Sequence, residues 1–332
     1  MKPTIICLTP VRNEAWILDR FLKAASIWAD YIIVADQMST DGSREIAKKY
    51  PKVILIDNSL EAFNEPERQK LLIKEARKIN GQKLLITLDA DEIFTPNVID
   101  SEEWKQVLTA APGTIFKFQW ANILPDFNTY WQSDFFPWGY MDDGFEHNQN
   151  EKIHTSRIPI PHGVKSIEIK TIKVMHFQYS NWERMQSKHR WYECYERITF
   201  PEKRPINIFR MYHHMYALPK EKIEVLPTKW IADYLKLKID VHNNNISTLY
   251  WWDEKVMDYF DQYGIEYFKK LSIWDVNWMK IAQKWRRANN EYYDPRTFAD
   301  KCIQLFLKIS QKYQNYYIVR KLEKVSEKYF SY

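Results

Sequence analysis

The chain reads as an α/β protein in which a mainly parallel sheet carries helices on both faces and an aromatic-rich helical extension follows. Three observations predict this. Short runs of Ile, Leu and Val in the N-terminal third lack the alternation of a half-exposed strand, as strands buried on both faces do. The stretches between them repeat apolar residues at helical spacing. Beyond His176 the pattern stays helical and becomes dense in Trp and Tyr.

Taken in order, residues 4–8, 31–35, 53–56 and 83–88 are the expected strands. Ile17, Leu18, Phe21, Leu22 and Ala25 mark the first intervening helix, Ile46 and Ala47 the second, and Leu71, Leu72, Ala76 and Ile79 the third. This alternation implies right-handed crossovers, with ligands bound in the crevice past the carboxyl ends of the strands. Residues 114–120 alternate as in a half-exposed strand, and 172–177 resemble another. Between them, residues 121–170 are dense in Pro, Asp, Asn and aromatics and read as a long irregular segment, a kind of loop that more often has a function than not. Helices are expected over 182–197, 205–216, 251–263 and 298–329.

Composition narrows the chemistry. With 7 glycines in 332 residues, few glycine-built phosphate loops are available. Cys7, Cys194 and Cys302 form no C-x-x-C pair, so neither a zinc site nor a disulfide framework is indicated. No apolar run approaches the roughly 18 residues of a membrane-spanning helix, and Met1-Lys2-Pro3 leads into a strand rather than a signal peptide, so the protein is expected in the cytosol. A net charge of +5 suits anionic small molecules or an acidic membrane surface as well as nucleic acid. Nucleic acid is disfavoured because 48 basic residues are nearly matched by 43 acidic ones.

Chemistry concentrates at three strand ends. The run Leu84-Leu85-Ile86-Thr87-Leu88-Asp89-Ala90-Asp91-Glu92 sets three carboxylates within four positions. Such crowding raises the acids' pKa values unless a cation intervenes, and a hard divalent ion takes oxygen ligands while keeping places for phosphate. Acids that merely cap a following helix are the alternative. The second strand ends in Asp36-Gln37-Met38-Ser39-Thr40-Asp41-Gly42-Ser43. Asp36 and Gln37 suit a base or ribose; residues 39–43 suit a capped turn that leaves N–H groups for an anion. The first strand ends in Thr9-Pro10-Val11-Arg12-Asn13-Glu14.

T-P-V-R-N-E, D-Q-M-S-T-D-G-S and L-D-A-D-E together resemble the three signatures of family 2 glycosyltransferases with the GT-A fold, in that order and at that spacing. The resemblance implies a nucleotide-sugar donor, an inverting transfer and a divalent metal, Mn²⁺ or Mg²⁺. It implies a donor pocket lined by Thr9, Pro10, Arg12, Glu14, Asp36 and Gln37, with Asp89 and Ala90 beside the ribose, and Arg68 near the phosphates. Asp91 would be the direct metal ligand, with Asp89 and His176 as further ligands. Gln37 replaces a usual acid and Met38 a usual glycine, so UDP is only the default donor. On this basis residues 1–177 form the catalytic domain, 1–100 its nucleotide-sugar half and 101–177 its acceptor side, and 178–332 the helical extension.

An inverting transfer needs a base near the acceptor hydroxyl. The long segment offers Asp134, Asp142, Asp143, Glu146 and Glu151; Asp143 is placed first and Glu146 second, because Gly139 and Gly144 bracket the acids and suggest a shaped loop. His213 and His214 are neighbours on a helix and point apart, so they are read as structural or surface residues. Most C-terminal aromatics should be core. The last helix joins Leu305, Phe306, Ile309, Tyr313, Tyr316 and Tyr317 to seven basic residues, an amphipathic pattern that suits peripheral contact with an anionic membrane or packing on the domain. The acceptor is expected to be a saccharide or lipid-linked saccharide of a surface glycan. Rival readings are a sugar-phosphate nucleotidyltransferase, which should carry a glycine-rich phosphate loop absent from residues 9–14, and an inactive sugar-binding relative.

Overall fold

The computed structural model describes residues 2–60, 63–148, 155–161, 163–242, 249–287 and 291–332. They form two compact units, Met1–Ser180 with Ile223–Ile246, and Asn181–Lys222 with Ser247–Tyr332. The first unit holds every strand: β1 (Thr4–Val11), β2 (Tyr31–Asp36), β3 (Val53–Asp57), β4 (Lys83–Thr87), β5 (Glu92–Phe94), β6 (Ile115–Ile123), β7 (Thr129–Met141), β8 (Ser166–Glu168), β9 (Val174–His176) and β10 (Ile223–Val225). Its helices are α1 (Leu18–Trp28), α2 (Ser43–Ala47), α3 (Glu65–Ala76) and α4 (Glu102–Leu108). Next along the chain, α5 (Trp182–Thr199) and α6 (Pro205–Tyr212) belong to the second unit and α7 (Thr228–Lys236) to the first; α8 (Trp251–Tyr263), α9 (Trp278–Lys284), α10 (Phe298–Ser310) and α11 (Tyr317–Phe330) complete the second.

The strands make one sheet in the order β3-β2-β1-β4-β7-β6-β9-β5, with β10 on β7 and β8 on β6. β3, β2, β1 and β4 are parallel, as their unbroken apolar runs predict. Both faces of that half are covered. Ile5, Cys7, Ile32, Val34, Leu84 and Ile86 share one core with Leu18, Phe21, Leu22 and Ala25 of α1. The alternate residues Ile6, Leu8, Ile33, Ala35 and Leu85 share another with Leu72, Ile73 and Ala76 of α3. The period of two sends successive side chains of one strand to opposite helical layers.

α3 begins at Asn64, whose side chain accepts a hydrogen bond from the Glu67 N–H at 3.2 Å, with Pro66 in the first turn. Both choices suit a helix start, since Asn satisfies an orphan donor and Pro has none to lose.

Three expectations need correction. Residues 121–170 are not one irregular segment: β7 is a 13-residue strand that pairs antiparallel with both β4 and β6. Its Tyr130, Trp131, Phe135, Phe136, Trp138 and Tyr140 have strong strand propensity, which Pro137 and the intervening polar residues mask. β6 is mostly enclosed rather than half-exposed: Phe116, Phe118, Ala121 and Ile123 lie in the core shared with α1, and Lys117, Gln119 and Trp120 are half-buried. The stretch 298–329 is two helices, α10 and α11, separated at residues 311–316.

In the second unit Trp191, Trp252, Trp274 and Trp278 are buried, whereas Trp182, Tyr192, Tyr195, Trp251 and Trp285 are half-buried. Phe260 stacks on Trp274 with centroids 5.2 Å apart and meets Trp278 edge-on at 5.2 Å. Ile206 and Phe209 of α6 pack with Ile303 and Leu307 of α10 and with Tyr332.

Candidate functional site

The carboxyl ends of β1 and β2 lead into two loops that are stitched together. Asn13 N–H donates to Ser39 Oγ, Glu14 N–H to Ser43 Oγ and Ala15 N–H to Asp41 Oδ2, each at 2.9 Å, while Thr40 N–H returns to Asn13 Oδ1 at 2.8 Å. Ser39 N–H donates to Asp36 Oδ2 and Ser43 N–H to Asp41 Oδ1. The Ser and Asp side chains expected to cap a turn therefore do so. The N–H groups of Ser39, Thr40 and Ser43 are committed within these loops rather than kept for an anion. Asn13 and Met38 both adopt φ near +55°, at 55° and 53°. The left-handed conformation explains why glycine suits position 38, and Met38 bears a strain of about 1 kcal/mol there.

Buried polar atoms without a hydrogen-bond partner gather at this edge. They are Thr9 Oγ1 on β1, Asp36 Oδ1 on β2, Asp89 Oδ1 past β4, and Arg68 Nε with both amide atoms of Gln69 in the first turns of α3. Native interiors leave few such atoms, so a cluster of them marks a place where a polar ligand completes the bonding. The other oxygen of Asp36 accepts from Arg44 Nη1 at 2.8 Å, and Arg44 also pairs with Asp57 at 2.7 Å. Gln37 donates its amide to the Leu60 carbonyl at 2.6 Å. Pro10 and Ala90 are buried, Arg12 and Glu14 half-buried, and Glu14 Oε2 accepts from the Trp16 indole at 2.6 Å. Arg68 lies over the Phe63 ring at 5.5 Å. Gln69 was not singled out from the sequence, because a polar residue on a helix carries no sign of its burial.

The acidic run past β4 is held by a residue that the sequence did not suggest. Arg157 donates to Glu92 at 2.5 and 3.1 Å and to Asp89 Oδ2 at 2.8 Å. Glu92 is fully enclosed, accepts the Trp120 indole N–H at 2.8 Å, and bonds the Asp89 N–H at 2.9 Å. Burial pushes the Glu92 carboxyl up, Asp89 and Asp91 add to the push, and Arg157 opposes it. Arg157 also lies over the Trp120 and Trp138 rings at 5.8 and 5.5 Å. No motif links position 157 to position 92, and only the fold brings them together.

His176 is close by. β9 pairs with β5 so that His176 faces Glu92 across the ladder, and the next residue, Phe177, donates its N–H to the Asp91 carbonyl at 2.8 Å. Asn122 gives its amide N–H to the Trp131 carbonyl, which turns Oδ1 toward His176 Nδ1 at 2.8 Å. This arrangement assigns the ring proton to Nδ1. The imidazole stacks on Trp120, centroids 4.8 Å apart.

The acids expected as bases lie elsewhere. Asp142 N–H donates to the carbonyl of Lys83, the first residue of β4, and Met141 pairs with Leu84. The acids 142–146 thus leave from the amino end of β4, a strand's length, roughly 15–20 Å, from Asp89. Asp142 is clamped by Arg77 Nη2 at 2.8 Å, Glu146 lies 3.6 Å from Arg77 Nη1, and Asp143 accepts from the Tyr140 hydroxyl. The structure does not bring Asp143 or Glu146 to the acidic run. Gly139 shapes no loop: it lies within β7, where an added Cβ would meet Phe116 Cβ at 2.9 Å and Ile86 Cδ1 at 3.0 Å. Asp134 is different. The register of β6 and β7 shifts so that Ser133 and Asp134 together oppose Trp120, a bulge that leaves Asp134 exposed beside the Trp120 cluster. Glu151 lies outside the described residues.

Among the described residues no three or more His, Cys, Asp or Glu side chains are grouped to hold a metal. Asp89 Oδ1, a buried oxygen without a partner, and Asp91 on the same turn fit a different kind of site. Mg²⁺ and its like commonly take one or two carboxylates and complete their octahedron with phosphate oxygens and water.

The family described as Glycosyl transferase family 2 matches residues 6–181. A search of curated proteins returns no match. Among solved structures, S. aureus TarS 1–349 is similar over 90% of this chain and 98% of its own, at 10% identity and a TM-score of 0.35. HddC from Yersinia pseudotuberculosis covers 51% and 90% at 13% identity and a TM-score of 0.30, and a 4-diphosphocytidyl-2C-methyl-D-erythritol synthase 53% and 72% at 13% and 0.29. Likenesses at these scores add no weight to the family match.

Proposed function

The chain belongs to glycosyl transferase family 2 and is a glycosyltransferase, and on that premise we propose that it moves a sugar from a nucleoside diphosphate, by default UDP, to a saccharide or lipid-linked acceptor of a surface glycan. The observation that carries the donor site is the group of buried, unpartnered polar atoms on Thr9, Asp36, Arg68, Gln69 and Asp89 beside the acidic run. Asp36 and Gln37 meet the base or ribose, and Arg68 the diphosphate. Asp89 and Asp91, with His176 as a further ligand, would hold a divalent cation; when bound, such an ion would offset the negative charge that grows on the departing diphosphate.

Asp134 is the base of this scheme. It takes the proton of the acceptor hydroxyl as the new bond forms between that oxygen and the anomeric carbon, while the bond from that carbon to the diphosphate oxygen breaks on the opposite face. The products are an inverted glycoside and a nucleoside diphosphate. Arg157 and Trp120 keep Glu92 paired and the turn bearing Asp89 fixed. Nothing at the carboxyl edge of β1 favours a nucleotidyltransferase, since the N–H groups of Asn13, Glu14 and Ala15, which would cradle phosphate, are bonded to Ser39, Ser43 and Asp41.

Calorimetric titration of UDP and GDP, each with and without Mn²⁺, tests the donor site. Metal-dependent binding of one nucleotide, abolished in Asp91→Asn while circular dichroism stays unchanged, is the expected result. Binding of neither nucleotide under any metal condition, or full turnover by Asp91→Asn at limiting metal, would falsify the assignment.

A further inference from the structure

Beyond the transfer reaction, we propose that α10 and α11 form a docking face for an anionic lipid bilayer. Each helix is apolar on the side away from its own unit. On α10, Phe298, Leu305 and Ile309 are exposed at 83, 58 and 64%, at spacings that put them on one line, opposite the buried Ile303 and Leu307. On α11, Ile318, Leu322, Val325 and Tyr329 repeat the same i, i+4, i+7, i+11 spacing, all exposed, while Val319 is the buried residue. A globular helix ordinarily reserves such a stripe for its core. Here it faces solvent twice.

Charge identifies the occupant. Lys301, Lys308 and Lys312 run along one flank of the α10 stripe, and Lys321, Lys324 and Lys328 along one flank of the α11 stripe, all exposed. From residue 298 to the end there are seven Lys and Arg against three Asp and Glu. Those acids are engaged inside the unit: Asp300 closes a capping box with Thr297, Glu323 pairs with Arg210 at 2.6 Å and Glu327 with Arg204 at 2.5 Å. The outward face is left cationic and apolar, with Tyr313, Tyr316, Tyr317 and Tyr329 exposed among the lysines. An apolar stripe edged by lysines and tyrosines matches the boundary between lipid headgroups and acyl chains. A second copy fits worse, because two such faces would bring like charges together. Among the described residues no helix is long and apolar enough to cross a membrane, so the contact is peripheral.

The test is sedimentation of the full chain with vesicles of phosphatidylcholine alone or mixed with phosphatidylglycerol. Binding to the mixed vesicles only, weakened by salt, is expected. Lys321→Ala/Lys324→Ala/Lys328→Ala should weaken it roughly a hundredfold, at about fivefold per lysine, and Ile309→Ser/Ile318→Ser/Tyr329→Ser should abolish it. Circular dichroism of the same variants should match the parent, which shows them folded, and donor-nucleotide binding, read in the first unit, should be unchanged, which separates this result from the fate of the transfer assignment. Equal binding to neutral vesicles, no binding to either, or a dimer in light scattering that the serine variant dissociates would overturn the proposal.

Discussion

Arg157 joins two acids that the sequence had already marked as significant, and its loss should be felt first as instability. Arg157→Ala leaves Glu92 enclosed without its counter-charge, which costs about 3–5 kcal/mol. Arg157→Ala/Glu92→Gln should recover part of that loss, since no bare charge is then buried; chemical denaturation of the two variants measures the difference. A second buried acid makes a pH prediction. Glu193 in α5 is enclosed, and burial, with Asp275 nearby, pushes its carboxyl up to about 8, although the Ser272 N–H at 3.0 Å and Arg190 pull the other way. The folded chain therefore holds this proton where the unfolded chain, with an ordinary Glu near 4.5, releases it. Stability from this group is complete below that ordinary value and is lost as pH rises toward 8, at up to about 1.4 kcal/mol per pH unit. Glu193→Gln should flatten the thermal midpoint across that window; an unchanged slope would mean that the carboxyl ionises normally. At this scale the sequence disclosed residues with local motifs, such as Asp36, Asp89 and Asp91. It concealed Arg157 and Gln69, whose roles arise from contacts between segments far apart in the chain.

Among the elements, the strand–helix alternation from β1 to β4 was legible because parallel strands buried on both faces have few compositional options. β7 was not, and the distance of Asp143 and Glu146 from the acidic run follows from that. Once residues 129–141 are a strand antiparallel to β4, the acids just after it must emerge at the amino edge of the sheet, while the acid at its bulge stays near Trp120. The same strand supplies a packing test. Gly139→Ala introduces a methyl group within 3.0 Å of Phe116 and Ile86, and overpacking of this kind costs about 1–3 kcal/mol. A denaturation midpoint within error of the parent would show that β7 and its neighbours can shift apart at no cost. Similarly, the split of 298–329 into α10 and α11 carries no mark in the sequence, since residues 311–316 contain neither Pro nor Gly.

For the molecule as a whole, the residues of the proposed donor site all belong to the first unit, so ligand and stability should be linked there. A nucleotide at a hundred times its Kd adds about 2.7 kcal/mol to the unfolding free energy of whatever it binds. Differential scanning calorimetry should show that increment with nucleotide and Mn²⁺ in the parent and none in Asp91→Asn; an identical rise in both would place binding away from the acidic run. The stitched loops after β1 and β2 bear on a different matter, the selection of inhibitors. Because their amides are already satisfied by Ser39, Ser43, Asp41 and Asn13, sulfate, inorganic phosphate and pyrophosphate analogues find little to hold them there. On the proposed donor site, the unsatisfied atoms at Asp36 and Gln69 instead reward compounds that keep an intact nucleoside.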